Sequence, residues 1–386
     1  MNKVDAIVVG AGPAGLASAA SLAEVGIKAV VLEKADNVGT TWRRHYQRLH
    51  LHTDRRHSGL PGLAMPRSYP RYPSRADVIE YLESYARNFH IAPVFNAAVT
   101  EIERSGAHWR VHTQRESKSA AVVVVATGWA SYPHRPSWPG SEKFPGDVIH
   151  STDYRDPEPY AGRRVLVVGF GNSGGEIALD LAVAKIDVTL AIRGPVQILP
   201  RDLLGIPIVT WAIAQQWLPA RIADFMNGPL TRLAIGPIER WGLRRSEKGP
   251  RRMVEEDGRV PLLDVGTLAK IKDGSIKVRA GIDHFDSDGV LFADQRREHF
   301  DAVILATGFR PDLRQLLEKV AGVIDENGKP LLTGKRTSAP GLYFCGYAAS
   351  PTGHLREIGL EARRIADLAK RHLEARFGRP GAEASV

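Results

Sequence analysis

The chain contains 386 residues, of which 43% are hydrophobic and 25% are charged, so it has the composition of a globular protein and the length for two domains. The formal net charge of +9 favours anionic partners, but the sequence has no zinc-finger or RNA-recognition signature, and we expect no nucleic-acid partner. The single cysteine, Cys345, excludes an intrachain disulfide, a Cys-x-x-Cys redox pair and a cysteine zinc site.

The histidines between residues 45 and 57 do not predict a metal site. His45, His50, His52 and His57 match no common ligand spacing, and no cysteine or carboxylate cluster completes a set. The uncharged residues 6–23 resemble a membrane span in hydropathy, but their glycines and proline are typical of a nucleotide-binding turn. No signal-peptide pattern precedes them, so we expect a cytoplasmic protein without an integral membrane segment.

The start of the chain is typical of a dinucleotide-binding βαβ unit. A strand at residues 4–9 leads into a Gly-x-Gly-x-x-Gly turn, an Ala- and Leu-rich helix follows, and a strand at residues 29–32 ends at Glu33. Gly10 allows the tight turn, Gly12 lets a pyrophosphate approach the backbone, and Gly15 lets helix and strand pack closely. Glu33 is placed to bind ribose hydroxyls and to repel a 2′-phosphate. The predicted ligands in this unit are Gly10, Gly12, Pro13, Ala14, Gly15, Glu33 and Lys34.

A second unit of the same kind begins with a strand at residues 165–168. The turn at residues 169–174, a helix at residues 175–184 and a strand at residues 187–192 follow, and Arg193 occupies the place that Glu33 has in the first unit. An arginine there accommodates a 2′-phosphate, so two different dinucleotides are predicted. We expect FAD at the first site and NADPH at the second, with hydride transfer from the nicotinamide to the flavin. The predicted ligands in this unit are Gly169, Gly171, Asn172, Ser173, Gly174 and Arg193.

A repeated pattern suggests how the two units are joined. A strand ending in Ala-Thr-Gly occurs at residues 121–128 and again at residues 302–308, each time after a hairpin turn and a charged stretch. We therefore predict an α/β fold with two Rossmann-like domains, in which the NADPH domain is inserted into a split FAD domain. The predicted boundaries are 1–155 and 296–386 for the FAD domain and 156–295 for the NADPH domain.

Three further segments carry local predictions. Ser74 looks like a helix N-cap with Asp77 in the capping-box position, so a helix is predicted to run to about Asn88. The apolar residues 203–218, which include Trp211 and Trp217, predict either a core or interface helix or the lining of a substrate passage. A last helix is predicted from about residue 358 to residue 375.

Three motifs together resemble the class B flavin-dependent monooxygenases. Besides the two glycine turns, residues 144–154 fit Phe-x-Gly-x-x-x-His-x-x-x-Tyr at every defined position. Residues 46–52, 81–86, 264–271 and 306–309 are most similar to the YUCCA-type, plant indole-3-pyruvate monooxygenase branch, and the resemblance covers about residues 4–370. It also implies cofactor contacts at Trp42, Thr127, Gly128, Thr307, Gly308 and Gly346. The linker motif it implies comprises Phe144, Gly146, His150 and Tyr154.

The resemblance implies a reaction in which NADPH reduces FAD, NADP⁺ stays bound, and a peroxyflavin formed with O₂ transfers one oxygen atom to a small molecule. The substrate it implies is an α-keto acid such as indole-3-pyruvate, which loses CO₂. His150 and Tyr154 would couple NADP binding to domain geometry. His52 stands where the animal enzymes carry an asparagine near the flavin, and it could donate a hydrogen bond to the peroxide.

Two alternatives stay open from the sequence. One is N- or S-oxygenation of a soft nucleophile, and the other is an NADPH-dependent electron-transfer or redox-sensing flavoprotein that never oxygenates. The oligomeric state is also open, and a homo-oligomer is compatible with the chain.

Overall fold

The computed structural model describes residues 3–130 and 132–377. The helices are α1 (Pro13–Glu24), α2 (Thr40–Arg44), α3 (Arg75–Asn88), α4 (Asn172–Val183), α5 (Ile208–Ala214), α6 (Ala220–Ile235), α7 (Pro250–Asp257), α8 (Thr267–Lys272) and α9 (His354–Phe377). The strands are β1 (Lys3–Val9), β2 (Ala29–Leu32), β3 (Val99–Ser105), β4 (His108–Thr113), β5 (Ser117–Val125), β6 (Tyr132–Pro133), β7 (Asp147–His150), β8 (Arg164–Val168), β9 (Asp187–Ala191), β10 (Ile198–Pro200), β11 (Asp202–Leu203), β12 (Ile206–Pro207), β13 (Leu262–Asp264), β14 (Ile276–Arg279), β15 (Ile282–Asp286), β16 (Gly289–Phe292), β17 (Arg297–Glu298), β18 (Ala302–Leu305), β19 (Phe309–Arg310) and β20 (Leu342–Phe344).

The first sheet combines a parallel part with an antiparallel part. Its parallel strands are β2, β1, β5 and β20, in that order, and the beginning of β5 pairs instead with the β3–β4 hairpin. Val9 lies opposite both Leu32 and Val125, so the three strands end at the same level. Because the carboxyl ends of parallel strands form the binding edge of such sheets, the turns after β1 and β5 meet there.

The second sheet is entirely parallel, in the order β14, β9, β8, β18, β7. Strands β7 and β18 lie outside the predicted range 156–295, and that range would cut this sheet. They belong to it because the buried residues 302–305 pair with β8 on one side and with β7 on the other. The domain boundaries stay a prediction. This sheet favours placing them before Asp147 and after Leu305.

The repeated pattern in the sequence corresponds to a repeated structure. The hairpin β3–β4 precedes β5, and the antiparallel strands β15, β16 and β17 precede β18. Strand β5 then joins the parallel part of the first sheet, and β18 joins the second sheet. Each of these two strands is followed by Ala-Thr-Gly. Together the two units make the α/β, two-unit Rossmann-like fold that was predicted.

Helices cover both sheets, and α1 and α4 begin within the two nucleotide turns. Helix α1 packs between the first sheet and α9, and α4 packs against the second sheet and α8. Helix α3 begins as predicted, because the Ser74 side chain accepts the backbone N–H of Asp77 and the Asp77 side chain accepts that of Ser74. Helix α9 starts four residues before the predicted position 358, directly after Gly353, which has φ +98°.

The predicted apolar segment at residues 203–218 forms the small hairpin β11–β12 and helix α5. Its Trp211 lines the large cleft described below, whereas Trp217 is 78% exposed. Among the described residues, no helix has the length and apolar character needed to cross a membrane.

Candidate active site between the two nucleotide turns

The first glycine turn has open space at one position and close backbone contacts at the others. Gly10 has φ +108°, and a Cβ there would lie 2.6 Å from the carbonyl oxygen of Ala126. A Cβ at Gly15 would lie 1.8 Å from the carbonyl oxygen of Gly10. At Gly12, by contrast, no described atom lies within 4 Å of the Cβ position. The unpaired N–H groups at the start of α1 therefore face open space, as a pyrophosphate site requires.

Glu33 is held against this turn at the end of β2. It is buried, and its two carboxylate oxygens accept the backbone N–H groups of Ala11 at 2.6 Å and of Ala35 at 2.9 Å. Each oxygen keeps a lone pair for a further donor such as a ribose hydroxyl. Lys34 and Trp42 line the cleft beside it. These contacts fit the predicted dinucleotide site.

The second glycine turn reproduces the geometry of the first. Gly169 has φ +106°, and a Cβ there would lie 2.6 Å from the carbonyl oxygen of Ala306. A Cβ at Gly174 would lie 2.1 Å from the carbonyl oxygen of Gly169, and no described atom lies within 4 Å of the Cβ position at Gly171. Asn172 joins this turn to β13, because its side chain accepts from the N–H of Leu263 and donates to a neighbouring carbonyl.

The charge at the end of the second unit is opposite to that of the first. Arg193 follows β9 and is exposed, and the Arg244 guanidinium donates to the Arg193 carbonyl oxygen at 3.1 Å. No described carboxylate pairs with either guanidinium. Burial lowers the pKa of nearby His134, as do the charges of Arg310 and Arg193, so this cationic corner favours a neutral imidazole. Arg244 was missed from the sequence, since it lies 51 positions after Arg193 and in no motif.

The two Ala-Thr-Gly turns lie beside the two glycine turns. Gly128 and Gly308 have φ +92° and +85°, and in both cases no described atom lies within 4 Å of the Cβ position. The Thr307 hydroxyl donates to the His134 carbonyl, and the His134 N–H donates back to the carbonyl of Gly308 at 2.9 Å. The second turn is therefore fixed to the segment that leads from one unit to the other.

Gly346 closes the first site from the side of α9. Its N–H donates to the buried Glu361 carboxylate at 2.6 Å, and a Cβ there would lie 2.9 Å from that of Ala14. The neighbouring Tyr347 hydroxyl hydrogen-bonds Thr127 at 2.7 Å. Burial raises the pKa of both Tyr347 and Glu361. Through these contacts Gly346 and Thr127 pack around α1, and their predicted contact with the cofactor stays a prediction.

The linker motif ties the second sheet to its Ala-Thr-Gly turn. The backbone N–H of Thr152 donates to His150 Nδ1 at 3.2 Å, so the proton of the neutral ring is on Nε2, which donates to the Gly308 carbonyl at 3.1 Å. Burial lowers the His150 pKa, which favours this neutral form. Phe144 packs edge-on against Phe285, with ring centroids 5.5 Å apart.

The other two motif residues are equally constrained. A Cβ at Gly146 would lie 2.5 Å from the Asp301 carbonyl oxygen, so only glycine fits between β7 and the loop before β18. The buried Tyr154 hydroxyl donates to Asp180 on α4 at 2.9 Å. His150 and Tyr154 thus position neighbouring elements and do not line the cleft.

His52 lies at the junction of the two units and pairs with a buried carboxylate. Its Nε2 contacts Glu176 of α4, and its Nδ1 has no partner among the described residues. The pKa of the nearby Tyr46 hydroxyl is raised, mainly by burial and also by the Glu176 carboxylate. The Tyr46 hydroxyl therefore stays protonated. The sequence did not predict this role of Glu176, because Glu176 is 124 positions from His52. It also lies only two residues after Gly174, where it looks like an ordinary helix residue.

One cleft of about 1260 Å³ joins these groups. Its predicted cofactor ligands are Gly10, Gly12, Pro13, Ala14, Glu33, Lys34, Trp42, Thr127, Gly128, Asn172 and Gly346, together with His52. An apolar wall is formed by Ile208, Val209, Trp211, Ala212, Val254 and Leu263. The predicted residues outside the lining are Gly15, Gly169, Gly171, Ser173, Gly174, Arg193, Thr307 and Gly308. The cleft therefore follows the first site and reaches the second only at Asn172.

Known proteins similar to this chain indicate the class of protein to which it belongs. A family model described as pyridine nucleotide-disulphide oxidoreductase matches residues 7–202. A flavin monooxygenase variant from Stenotrophomonas maltophilia superposes with a TM-score of 0.74 at 25% identity, covering 96% of this chain and 98% of its own. A cyclohexanone monooxygenase shares the fold, with a TM-score of 0.73 at 20% identity, covering 99% and 91%. The first nucleotide turn lines the cleft and the second reaches it at Asn172, and together with these matches this places the chain among the flavin-dependent monooxygenases.

The curated relatives narrow the class to a family. Indole-3-pyruvate monooxygenase YUCCA1 of Oryza sativa subsp. japonica is 40% identical over 349 residues, which cover 89% of this chain and 86% of the relative. YUCCA6 of Arabidopsis thaliana is 38% identical over 376 residues, which cover 94% and 89%. The chain belongs to this YUCCA family of monooxygenases. Its membership confirms the predicted family, fold class, enzyme class and pair of cofactors, whereas the role of each site residue stays a prediction.

Proposed function

We propose that this enzyme uses NADPH and O₂ to decarboxylate an aromatic α-keto acid of the indole-3-pyruvate type. The observation that carries the proposal is the pairing of two glycine turns of one geometry with opposite charges, Glu33 in the first and Arg193 in the second. The names of the relatives supply the substrate class.

FAD fits the first turn, where Gly12 leaves open space and Glu33 is fixed beside it. When bound, FAD accepts a hydride and supplies the oxygen chemistry. The protein's part is to bind the diphosphate through the N–H groups at the start of α1 and the ribose through Glu33. Gly346 and Thr127 keep the surrounding backbone in place through Glu361 and Tyr347.

NADPH fits the second turn. Gly171 leaves open space at the start of α4, and Arg193 and Arg244 offer two guanidinium groups without carboxylate partners in the described chain. Both can form charge-assisted hydrogen bonds to a 2′-phosphate. His150 and Tyr154 hold the turn and the helix in register, so they act as positioning residues.

The substrate would lie against the apolar wall of the cleft. Val209 and Trp211 offer an aromatic ring an apolar surface, while Arg44 and Arg155 give the lining cationic groups that suit a carboxylate. In the net reaction, R–CO–COO⁻, O₂, NADPH and H⁺ give R–COO⁻, CO₂, NADP⁺ and H₂O. The C–C bond to the carboxylate breaks, one oxygen atom enters the product acid, and the other leaves as water.

His52 is the group we propose to handle a proton at the reacting centre. Contact with Glu176 orients the ring and leaves Nδ1 without a described partner. In the neutral ring Nε2–H donates to the carboxylate and Nδ1 can accept a proton or hydrogen bond, whereas in the doubly protonated ring Nδ1–H can donate one. Glu176 acts through His52 and is a positioning residue.

The test is incubation of the holoenzyme with NADPH, indole-3-pyruvate and ¹⁸O₂. The proposal predicts one CO₂ per NADPH consumed and one labelled oxygen atom in the shortened acid. Phenylpyruvate serves as a second aromatic α-keto acid. Unlabelled acid, or formation of hydrogen peroxide in its place, would contradict the proposal, and turnover of amines or sulfides alone would replace the substrate class.

A cytoplasmic location belongs to the same proposal. It is supported by the single cysteine, which is buried and unpaired, and by the dependence on NADPH. Fractionation of the producing cells with a flavin or antibody readout would test it. Recovery of the enzyme in an exported fraction would contradict it.

A further inference from the structure

Helix α6 exposes an apolar stripe to solvent in addition to the face that it buries. Its solvent-facing stripe follows helical spacing and consists of Ile222, Phe225, Met226, Pro229 and Leu233. Phe225 is 82% exposed and Leu233 is 81% exposed. Trp217, which precedes the helix, is 78% exposed. We call this set of six residues the α6 stripe.

The inner face of α6 buries Ala223, Thr231 and Ile235, and the polar Asp224 and Asn227 on the same side already have partners. Asp224 accepts the backbone N–H groups of Arg251 and Arg252 at 2.9 and 3.1 Å, and so caps α7. Asn227 forms a reciprocal amide pair with Gln215 of the α5–α6 connection. Because these contacts fix the orientation of the helix, the stripe is not a core face turned outward by rotation. Exposed apolar surface of this extent marks an interaction site.

Cations lie along one edge of the stripe. Arg221 and Arg232 are both exposed and lie on the same side of the helix, 11 positions apart along it. Neither guanidinium has an ion-pair or hydrogen-bond partner within residues 3–130 and 132–377. The acidic residue of the helix, Asp224, points inward and is used by α7. The outer face of α6 is therefore apolar and positive.

We propose that the α6 stripe docks on an anionic membrane surface, with the helix lying in the plane of the interface. Aromatic and aliphatic side chains enter the headgroup boundary, and flanking arginines contact lipid phosphates, as in interfacial amphipathic helices. A second copy of the chain fits the charges less well, since a two-fold contact would bring arginines of one stripe toward those of the other. The proposal is independent of the substrate.

Docking would also place the cleft near the lipid. Ala223, Asp224, Asn227 and Thr231 of α6 line the cleft from the side opposite the stripe. One helix thus separates the candidate active site from the proposed membrane surface. An apolar substrate dissolved in the interface would reach the apolar wall over a path no longer than the thickness of this helix, about 10 Å.

Co-sedimentation of the holoenzyme with phosphatidylcholine vesicles, with and without phosphatidylglycerol, tests the proposal. We expect binding that requires the anionic lipid and weakens with salt. The double variant Arg221→Gln/Arg232→Gln should bind about 25-fold more weakly, at roughly five-fold for each arginine. Phe225→Asp/Leu233→Asp should abolish binding. The matched control Leu331→Asp, at a site that is 56% exposed elsewhere on the surface, should bind normally.

Flavin content and NADPH oxidation without vesicles should be unchanged in all these variants, since none of the substituted residues lines the cleft. Equal binding to both kinds of vesicle, or binding to neither, would overturn the proposal. It would also be overturned by a lipid-independent dimer in sedimentation equilibrium that Phe225→Asp dissociates, because that result assigns the stripe to a second copy.

Discussion

At the scale of single residues, Gly12 and Gly15 differ in what a side chain would contact. The Cβ position of Gly12 is open on the protein side, so Gly12→Val should fold but lose flavin, because the valine occupies the space of the diphosphate. Gly15→Ala should fail to fold normally, since its Cβ would lie 1.8 Å from the Gly10 carbonyl oxygen. Flavin absorbance and circular dichroism of the purified variants distinguish the two outcomes. A yellow, fully loaded Gly12→Val protein would refute the site.

Gly171 gives the corresponding prediction for the second site. Its Cβ position is also open, so Gly171→Val should keep its flavin and fold but lose reduction by NADPH. Chemical reduction by dithionite should still bleach the flavin. The measurement is the rate of flavin bleaching under anaerobic conditions with each reductant. If NADPH reduced this variant at the normal rate, the second turn would not be the NADPH site.

Arg193 is expected to discriminate between the two nicotinamide cofactors. Arg193→Ala should raise the KM for NADPH roughly 10- to 100-fold through the loss of charged hydrogen bonds, with little effect on NADH. Arg244→Ala should act in the same direction, because its guanidinium lies on the Arg193 carbonyl. Arg296→Ala, an exposed arginine of another hairpin, is the control. An equal rise for NADPH and NADH would contradict the assignment.

His52 and Glu176 should behave as one unit. His52→Ala should lower product formed per NADPH about 100-fold, the usual effect of losing one hydrogen-bonding group at a reacting centre, and release hydrogen peroxide instead. Glu176→Ala should do nearly the same through loss of ring orientation, and the double variant should be no worse than either single variant. The KM for NADPH should not change. Additive effects in the double-mutant cycle would show that the two residues act separately.

At the scale of elements, the linker motif couples stability to pH through His150. Burial lowers the His150 pKa below its usual value. Between the folded and unfolded pKa values, the unfolded chain therefore binds a proton at His150 and the folded chain does not. The free energy of unfolding should therefore be highest above about pH 6.5 and fall at lower pH, by at most about 1.4 kcal/mol per pH unit for this one group.

Urea denaturation at several pH values checks this prediction. His150→Gln keeps a donor toward Gly308 but cannot titrate, so the loss of stability at acidic pH should become smaller. Other histidines with lowered pKa values, among them His57 and His372, will contribute to the remaining slope. A His150→Gln protein with the parent's slope would contradict the neutral, buried state.

Local signals in the sequence predicted the elements well. The capping box at Ser74 and Asp77 placed the start of α3, and the apolar runs that end at Glu33 and in Ala-Thr-Gly placed β2 and β18. Both glycine turns could be predicted because the residues that form each turn are consecutive in the sequence. Glu176 and Arg244 could not be predicted in this way, since each acquires its role from a partner that only the tertiary fold brings near.

At the scale of the whole molecule, the sequence predicted two nucleotide units but not the sheet membership of β7 and β18. Strand β18 is apolar and buried throughout, so its residues do not specify which neighbours it will have, and β7 is an edge strand with Asp147 and Val148 exposed. The hairpin repeat predicted that the chain changes units near Ala126 and Ala306, and the domain boundaries stay a prediction. The pairing of β18 with both β8 and β7 shows that the second sheet extends past both predicted boundaries.

The central claim is that one cleft combines an FAD site and an NADPH site to activate O₂ for transfer to a substrate. Rapid mixing of anaerobically NADPH-reduced holoenzyme with oxygenated buffer tests it most directly, with flavin absorbance as the readout. We predict a transient that absorbs at shorter wavelength than oxidised flavin, persists while NADP⁺ is bound and decays faster when indole-3-pyruvate is added. Direct return to oxidised flavin with stoichiometric hydrogen peroxide, even with the α-keto acid present, would contradict the claim.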